Sequence, residues 1–321
     1  MNPPRAALPL AVLTLFAALA LLAAGEKGPA GPGSVPAVPP APVPATPPAP
    51  DRVLVAAVQT PSAMGDVDGN SKRLERLVRE AAGKGAKIVV LPEASVTGYL
   101  SEDMKTNWRI PGRPIKEGFT GMSPEKAAVV VPGPVTDRFA ALSKDLGIYI
   151  AVPFVEREPA TGRYFNTVCL ADPAGKIRLH YRKLTPWPHP EVSWASVGDR
   201  GLAFTDTPYG RLGLLICFDI HTWPRWLALE KTDILLYPIA WVEDKDSTWF
   251  EQELPAIARE HDLAIVGANW SVEKEQPWHG YGQTRVIDRG GKILSKAATK
   301  TGEEIVYAEL PVGKPGAASA K

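Results

Sequence analysis

The chain has 321 residues, which exceeds one average domain but suits a single large α/β unit. Its 36 basic and 35 acidic residues give a formal net charge of +1, a balance that argues against a nucleic-acid partner or an acidic polymer substrate. Hydrophobic residues make up 45% of the chain, as expected of a globular protein with a large core.

The first 50 residues lie outside the predicted fold. Arg5 precedes an apolar run over residues 6–24, which is the pattern of a secretory signal. The run is also close to the roughly 20 residues that span a bilayer, so residues 1–24 are either a cleaved signal peptide or an uncleaved single-span anchor. Residues 25–50 are rich in Pro and Ala, which predicts a disordered linker. We therefore expect an exported protein, periplasmic or extracellular, with its folded domain at residues 51–312 and a flexible tail at 313–321.

From residue 51 onward, predicted strands alternate with predicted helices. The first strand covers residues 53–60, and Asn70 is expected to cap a helix that ends near Gly83 or Gly85. A strand at residues 87–91 follows. Thr136 is expected to cap a second helix, which Gly147 ends.

The second half continues the alternation. Further strands are predicted at residues 148–155, 167–171, 234–237 and 264–267, and a hairpin at residues 285–294. A helix is expected over about residues 247–261, although Pro255 argues against a straight one. Strand–helix alternation of this kind predicts a layered α/β fold.

Three polar residues stand out because of their positions near predicted strands. Glu93 follows the apolar run V-V-L, Cys217 follows L-L-I, and Lys183 lies in H-Y-R-K-L. Strand ends on one edge of a sheet face a common crevice, so we expect the three side chains to meet there. A carboxylate, a thiol and an ammonium together make a nucleophilic site. Glu93 would be the general base, Cys217 the nucleophile and Lys183 the cation that lowers the thiol pKa and holds an oxyanion.

These contexts, in the order Glu, Lys, Cys, resemble the nitrilase, or carbon–nitrogen hydrolase, superfamily. The resemblance runs from Val53 to Pro311 and includes K-I-V-V-L-P-E, Y-R-K and L-L-I-C-F-D-I, with features of the aliphatic amidase and pantetheinase/biotinidase branches. It implies an α-β-β-α sandwich of two mixed sheets flanked by helices, in a single domain. It also implies an amidohydrolase that cleaves a small, non-peptide amide through a Cys thioester. A homodimer or higher homo-oligomer is expected from the resemblance alone.

The resemblance and local motifs suggest supporting residues. Glu191, in a pattern shared with aliphatic amidases, is expected to orient the substrate amide; the alternative is a carboxylate on the pocket rim. The backbone N–H of Phe218 is expected to be a second oxyanion donor, by analogy with nucleophile elbows. Trp241 is expected to line the pocket, unless it is a core tryptophan. Glu156 is interpreted as a strand-end carboxylate that supports the site.

Other residues limit the chemistry. His221 stands where many family members have an Arg that meets a substrate carboxylate, so carbamoyl amino acids and dicarboxylate monoamides are disfavoured, and C-F-D in place of C-W-E disfavours nitriles. An acyltransferase with the same acyl-enzyme, or a nitrilase, remains the alternative. The five histidines do not show zinc-ligand spacing, so we expect no metal and no organic cofactor. Cys169 is interpreted as a buried structural thiol.

Overall fold

The computed structural model describes residues 51–312. The predictions of a signal or anchor at residues 1–24, a linker at 25–50 and a tail at 313–321 lie outside the described residues. Within residues 51–312, every helix is too short or too polar to cross a membrane.

The described residues form strands and helices in alternation. The strands are β1 (Arg52–Gln59), β2 (Ile88–Val90), β3 (Thr106–Trp108), β4 (Thr120–Met122), β5 (Tyr149–Arg157), β6 (Tyr164–Ala171), β7 (Ile177–Arg182), β8 (Ala203–Thr207), β9 (Gly210–Leu214), β10 (Ile234–Ile239), β11 (Ala264–Asn269), β12 (Arg285–Ile287), β13 (Ile293–Lys296) and β14 (Glu304–Pro311). The α-helices are α1 (Val67–Gly83), α2 (Pro134–Leu146), α3 (Pro224–Leu229) and α4 (Leu254–His261). Short 3-10 turns cover Glu191–Ser193 and Cys217–His221, and a π-helix covers Trp249–Glu253.

Two mixed sheets lie face to face. Their strand orders are β14-β1-β2-β5-β6-β7 and β13-β12-β11-β10-β9-β8. Apolar side chains from both sheets form one buried cluster, which includes Val55, Val90, Leu214 and Leu236. The opposite face of β1, β2 and β5 packs against α1 and α2 in a second cluster. The predicted α-β-β-α sandwich is confirmed.

The strands end at one edge of the sandwich. β1, β2 and β5 run parallel in one sheet, and β9, β10 and β11 run parallel in the other. The backbone N–H of Glu93, just beyond β2, donates to the carbonyl oxygen of Ile239 at the end of β10 over 3.3 Å. This hydrogen bond joins the two sheets where Glu93 and Cys217 leave them.

Two helix starts differ from the predictions. α1 begins at Val67 because Asp66 Oδ1 accepts the Gly69 N–H at 3.0 Å. Asn70 lies inside the helix, where its side chain donates to the Val96 carbonyl over 3.1 Å and so ties α1 to the chain beyond Glu93. Thr136 also lies within its helix, in the first turn of α2, and its hydroxyl accepts the Gly133 N–H at 2.9 Å.

The segment around Pro255 is a π-helix followed by α4 rather than one straight helix. Pro255 occupies the first turn of α4, the part of an α-helix in which proline is best tolerated. The predicted hairpin at residues 285–294 forms as β12 and β13, which pair antiparallel.

The Asp66 cap gives the first testable prediction. Asp66→Ala should lower the free energy of unfolding by about 1 kcal/mol, because a helix N-terminal N–H loses its acceptor. Glu80→Ala, at an exposed position of the same helix, should change it by less than about 0.5 kcal/mol. Urea unfolding measures both, and equal effects would mean that Asp66 does not act as the cap.

Candidate active site

Lys183 lies between two carboxylates in a fully buried cluster. Its Nζ is 2.9 Å from Glu93 Oε1 and 2.8 Å from Glu191 Oε1, and none of the three side chains is exposed. Lys183 directly follows β7, and its backbone N–H donates to the carbonyl oxygen of Asn166 on β6 over 2.8 Å. The ladder of the first sheet therefore fixes the base of this side chain, and the two carboxylates fix its tip.

Asn166 and Tyr99 complete the cluster. Asn166 Nδ2 donates to Glu93 Oε1 over 2.7 Å and to Glu191 Oε1 over 2.6 Å. The Tyr99 hydroxyl donates to Glu191 Oε1 over 3.1 Å, and the Trp187 N–H donates to Glu191 Oε2. Both oxygens of Glu191 are thus occupied by protein groups. Glu93 Oε2, in contrast, is buried and has no hydrogen-bond partner among residues 51–312, so it remains available to take up a proton.

Burial and mutual contacts shift the pKa values of Glu93 and Lys183. Burial raises the pKa of Glu93 to about 7; Lys183 opposes this shift, and the negative charge of Glu191 adds to it. Burial alone would lower the pKa of Lys183, but Glu191 and Glu93 outweigh burial and raise it. Lys183 therefore keeps its charge at neutral pH, while Glu93 is poised to gain or lose a proton there.

Cys217 sits on a strained turn after β9. Its φ of 41° lies in the left-handed region, and the Tyr237 hydroxyl donates to its carbonyl oxygen over 2.8 Å. Such strand-to-turn nucleophiles are held by the surrounding structure because the backbone alone disfavours them. Burial and the charge of Glu93 raise the pKa of the Cys217 thiol, and Lys183 lowers it too little to compensate. Lys183 therefore lowers the pKa of the Cys217 thiol as expected, but burial and Glu93 raise it by more. The side chain of Cys217 is accordingly a thiol at rest.

Asp219 links the Cys217 turn to the chain around Lys183. Its Oδ2 accepts the Tyr181 hydroxyl at 2.7 Å and the Ile216 N–H at 3.2 Å, and its Oδ1 accepts the Thr185 N–H at 2.7 Å. Tyr181 and Thr185 lie on either side of Lys183 in the chain. One buried carboxylate therefore sets the position of the nucleophile relative to the ammonium.

A small pocket opens beside Cys217. Its volume is about 80 Å³, and its lining residues are uncharged groups with a large aromatic share: Trp187, Cys217, Phe218, His221, Ala240, Trp241 and Val242. Trp241 stacks on Trp249 with ring centroids 4.3 Å apart and planes 8° apart. His221 packs against both rings, with centroids 5.7 Å from Trp241 and 4.9 Å from Trp249. Trp241 and Phe218 therefore both line the pocket, while the role of the Phe218 N–H as an oxyanion donor stays a prediction.

Of the other predicted residues, Glu191 lies in the buried cluster and Glu156 lies outside it. Glu191 is buried in the cluster rather than on a rim, and it contacts Lys183 instead of lining the pocket. In the described part of the chain, Glu156 forms no hydrogen bond with Glu93, Lys183 or Cys217; its Oε2 accepts the Thr167 hydroxyl at 2.6 Å and lies 2.8 Å from His180 Nε2. Glu156 therefore supports the site only by joining β6 to β7, because Asn166 lies on β6 and Lys183 directly follows β7.

Sequence reasoning did not assign site roles to Tyr99, Asn166 or Asp219. Asn166 lies in a strand pattern that indicates no role in a site, and Tyr99 carries no signal because its partner Glu191 lies 92 residues further along the chain. Asp219, two residues after Cys217, is the one that its motif could have revealed. Among residues 51–312, no group of three His, Cys, Asp or Glu side chains is arranged to hold a metal ion.

The Asp219 contacts generate a second prediction. Asp219→Asn should lower the free energy of unfolding by about 2 kcal/mol, because the new amide N–H₂ faces buried donors that then lack an acceptor. Asp206→Asn, at a position where the carboxylate pairs with Arg211 on the surface, should change it by less than about 0.5 kcal/mol. Chemical unfolding of both variants measures the difference. An Asp219→Asn protein as stable as the parent would contradict the linking role.

Comparison with known proteins places this site in a family. The family model for carbon-nitrogen hydrolases matches residues 54–318. The chain is 28% identical to a bifunctional nitrilase/nitrile hydratase of Oryza sativa subsp. japonica, over 82% of this chain and 77% of that protein. It is 27% identical to an omega-amidase of Danio rerio, over 75% of this chain and 82% of that protein.

Solved structures share the fold. An amidase from Nesterenkonia sp. superposes with a TM-score of 0.65 at 20% identity, covering 81% of this chain and 90% of that one. A mutant of that amidase shows covalent addition of the acetamide moiety of fluoroacetamide at its active-site cysteine. The resemblance seen in the sequence is therefore confirmed: this chain belongs to the carbon-nitrogen hydrolase family of the nitrilase superfamily and is a hydrolase of carbon–nitrogen bonds other than peptide bonds.

Proposed function

We propose that the chain is an amidohydrolase that cleaves the C–N bond of a small amide through a thioester at Cys217. The observation that carries the proposal is the division of labour in the buried cluster. Glu93 Oε1 is held by Lys183 and Asn166, whereas Glu93 Oε2 has no partner among residues 51–312. A carboxylate that is fixed through one oxygen and free at the other is suited to shuttle a proton.

In the first half-reaction, Glu93 takes the Cys217 proton as the sulfur attacks the amide carbonyl carbon. The carbonyl electron pair moves to the oxygen, which becomes negative. Glu93 then gives its proton to the amide nitrogen, the C–N bond breaks, and ammonia or an amine leaves. A thiol with a raised pKa and a base with a pKa of about 7 suit a proton transfer that accompanies attack, rather than a pre-formed thiolate.

In the second half-reaction, Glu93 takes a proton from water, and the water oxygen attacks the thioester carbon. The C–S bond then breaks, the carboxylic acid leaves, and the proton returns to sulfur. Lys183 is suited to stabilise both oxyanions, since two of its three N–H bonds are directed to carboxylates and the third is left for a substrate oxygen. The Phe218 N–H, next to the nucleophile, is proposed as a second donor.

The substrate class follows from the pocket and from the relatives. A pocket of about 80 Å³ with no charged lining residue favours a small, uncharged group beside the scissile carbonyl. Names among the relatives include both amidase and nitrilase, so they support either reaction, and the sequence C-F-D at the nucleophile places amide hydrolysis first. Purified protein given primary amides, N-substituted amides and nitriles of matched size separates the two. Hydrolysis of nitriles alone would favour the nitrilase alternative, and transfer to an added amine without acid formation would favour the acyltransferase.

The nucleophile can be identified directly. Cys217→Ala should abolish turnover, while Cys169→Ala should retain it, since Cys169 is buried in β6 and burial raises its thiol pKa. Mass spectrometry after an acid quench should find the acyl adduct on the Cys217 peptide. An adduct on another residue, or an active Cys217→Ala protein, would rule out this mechanism.

The raised pKa of Glu93 predicts the pH dependence. Glu93 acts as a base only when ionised, so kcat/KM should rise with pH and level off above about 7, falling tenfold for each pH unit below it. Glu191→Gln removes a negative charge that raises the Glu93 pKa, so the acidic limb should move to lower pH even though the rate falls. Glu230→Gln, at an exposed position, should leave the limb in place. The prediction fails if the limb stays near the ordinary Glu pKa in the parent protein.

A further inference from the structure

A second, larger chamber adjoins the pocket at Cys217. Its volume is about 210 Å³, and it shares the walls Trp187 and Val242 with the inner pocket. The Trp187 N–H donates to Glu191 of the buried cluster, so this shared wall is tied to the site. The outer chamber is lined chiefly by apolar groups, among them Leu100, Met104 and Phe119. It is therefore suited to a part of the substrate that extends beyond the scissile bond.

Asn107, in the wall of the outer chamber, has an unused acceptor. The residue is 1% exposed, and its Nδ2 donates to the Pro190 carbonyl over 2.7 Å and to Ser193 Oγ over 2.9 Å. These two bonds fix which end of the amide is oxygen. Asn107 Oδ1 has no hydrogen-bond partner among residues 51–312, and a buried acceptor in this state favours a ligand that brings an N–H or O–H group.

Lys116 supplies a cation to the same chamber. Within residues 51–312 it pairs with no carboxylate, and its Nζ lies 5.7 Å from the centre of the Phe119 ring. Lys105, which directly precedes β3 whereas Lys116 lies between β3 and β4, differs in that its Nζ is 3.5 Å from Asp103. The inner pocket has no charged lining residue, so recognition of a charged group falls to the outer chamber.

We propose that the outer chamber binds the distal part of an elongated amide substrate, an apolar arm that ends in an anionic group at Lys116. The inference rests on the proposed amidohydrolase function and extends it to a substrate class. It departs from the sequence expectation that His221 disfavours dicarboxylate monoamides, because Lys116 in the outer chamber, and not a residue beside Cys217, would hold the carboxylate. An anion close to the scissile bond would lie against the uncharged aromatic wall of the inner pocket and lose its hydration without a partner. An anion at the end of a longer arm reaches Lys116, and an N–H or O–H along the arm can donate to Asn107.

The test compares alkyl amides of increasing length that end in either a methyl group or a carboxylate. In the parent protein, the carboxylate should raise kcat/KM for the long members only, and added salt should reduce this advantage. Lys116→Met keeps most of the apolar stem and removes the charge. It should reduce the ratio of kcat/KM for the long carboxylate to that for its methyl counterpart by about tenfold, as expected for a lost charge-assisted contact. Because the quantity is a ratio, a loss of active protein does not affect it.

Lys105→Met is the matched control, since that lysine lies on the other side of β3 and does not line the chamber, and it should leave the ratio unchanged. A long carboxylate with no advantage over its methyl counterpart, or a ratio that Lys116→Met leaves intact, overturns the proposal while short amides are still hydrolysed. An equal loss in both variants also overturns it, because the effect would then be one of general surface charge. If Cys217-dependent hydrolysis is absent for every amide in the series, the proposed function itself fails.

Discussion

The site depends on one lysine buried between two carboxylates. With Glu93 and Glu191 both ionised, the cluster with Lys183 carries an excess negative charge out of contact with water. Burial of such a group is costly unless its remaining lone pairs are satisfied. Asn166 and Tyr99 satisfy those of Glu191, and the part of the cost that remains falls on Glu93, whose pKa rises to about 7. Glu93, the proposed proton-transfer group, is thus the member of the cluster with a carboxylate oxygen that lacks a hydrogen-bond partner among residues 51–312.

The two sheets divide this chemistry between them. The first sheet supplies Glu93 and Lys183, and the second supplies Cys217 from the turn after β9. Contacts across the edge hold the halves together, namely the hydrogen bond from the Glu93 N–H to Ile239 and those that Asp219 accepts on both sides of Lys183. Small relative shifts of the sheets would therefore separate the base from the nucleophile, and positioning at this scale governs rate.

The strand ends that carry Glu93 and Cys217 can be predicted from the sequence because they depend on local patterns of apolar residues. Apolar runs that end near Glu93 and Cys217 indicate strand ends, and strand–helix alternation indicates a layered α/β fold, whereas the α-β-β-α sandwich is implied only by the family resemblance. Local competition explains the smaller errors: Asp66 and Asn70 are both good caps, and only the packing of Asn70 toward Val96 decides between them. The rim remained an alternative for Glu191 in the sequence, since its burial depends on Tyr99 and Asn166, which are remote in the chain. Tertiary partners of this kind leave no periodic signal.

The pairing of β1 with β14 has a consequence for how the domain is held. Arg52 pairs with Pro311, and the Val312 N–H donates to the Asp51 carbonyl over 2.9 Å, so both ends of the described chain emerge together. β1 then runs for eight residues, about 26 Å, before it reaches the edge where Glu93 and Cys217 meet. Asp51 and Val312 therefore lie at the edge opposite the pocket, so that a label attached to either residue is separated from Glu93 and Cys217 by the length of β1.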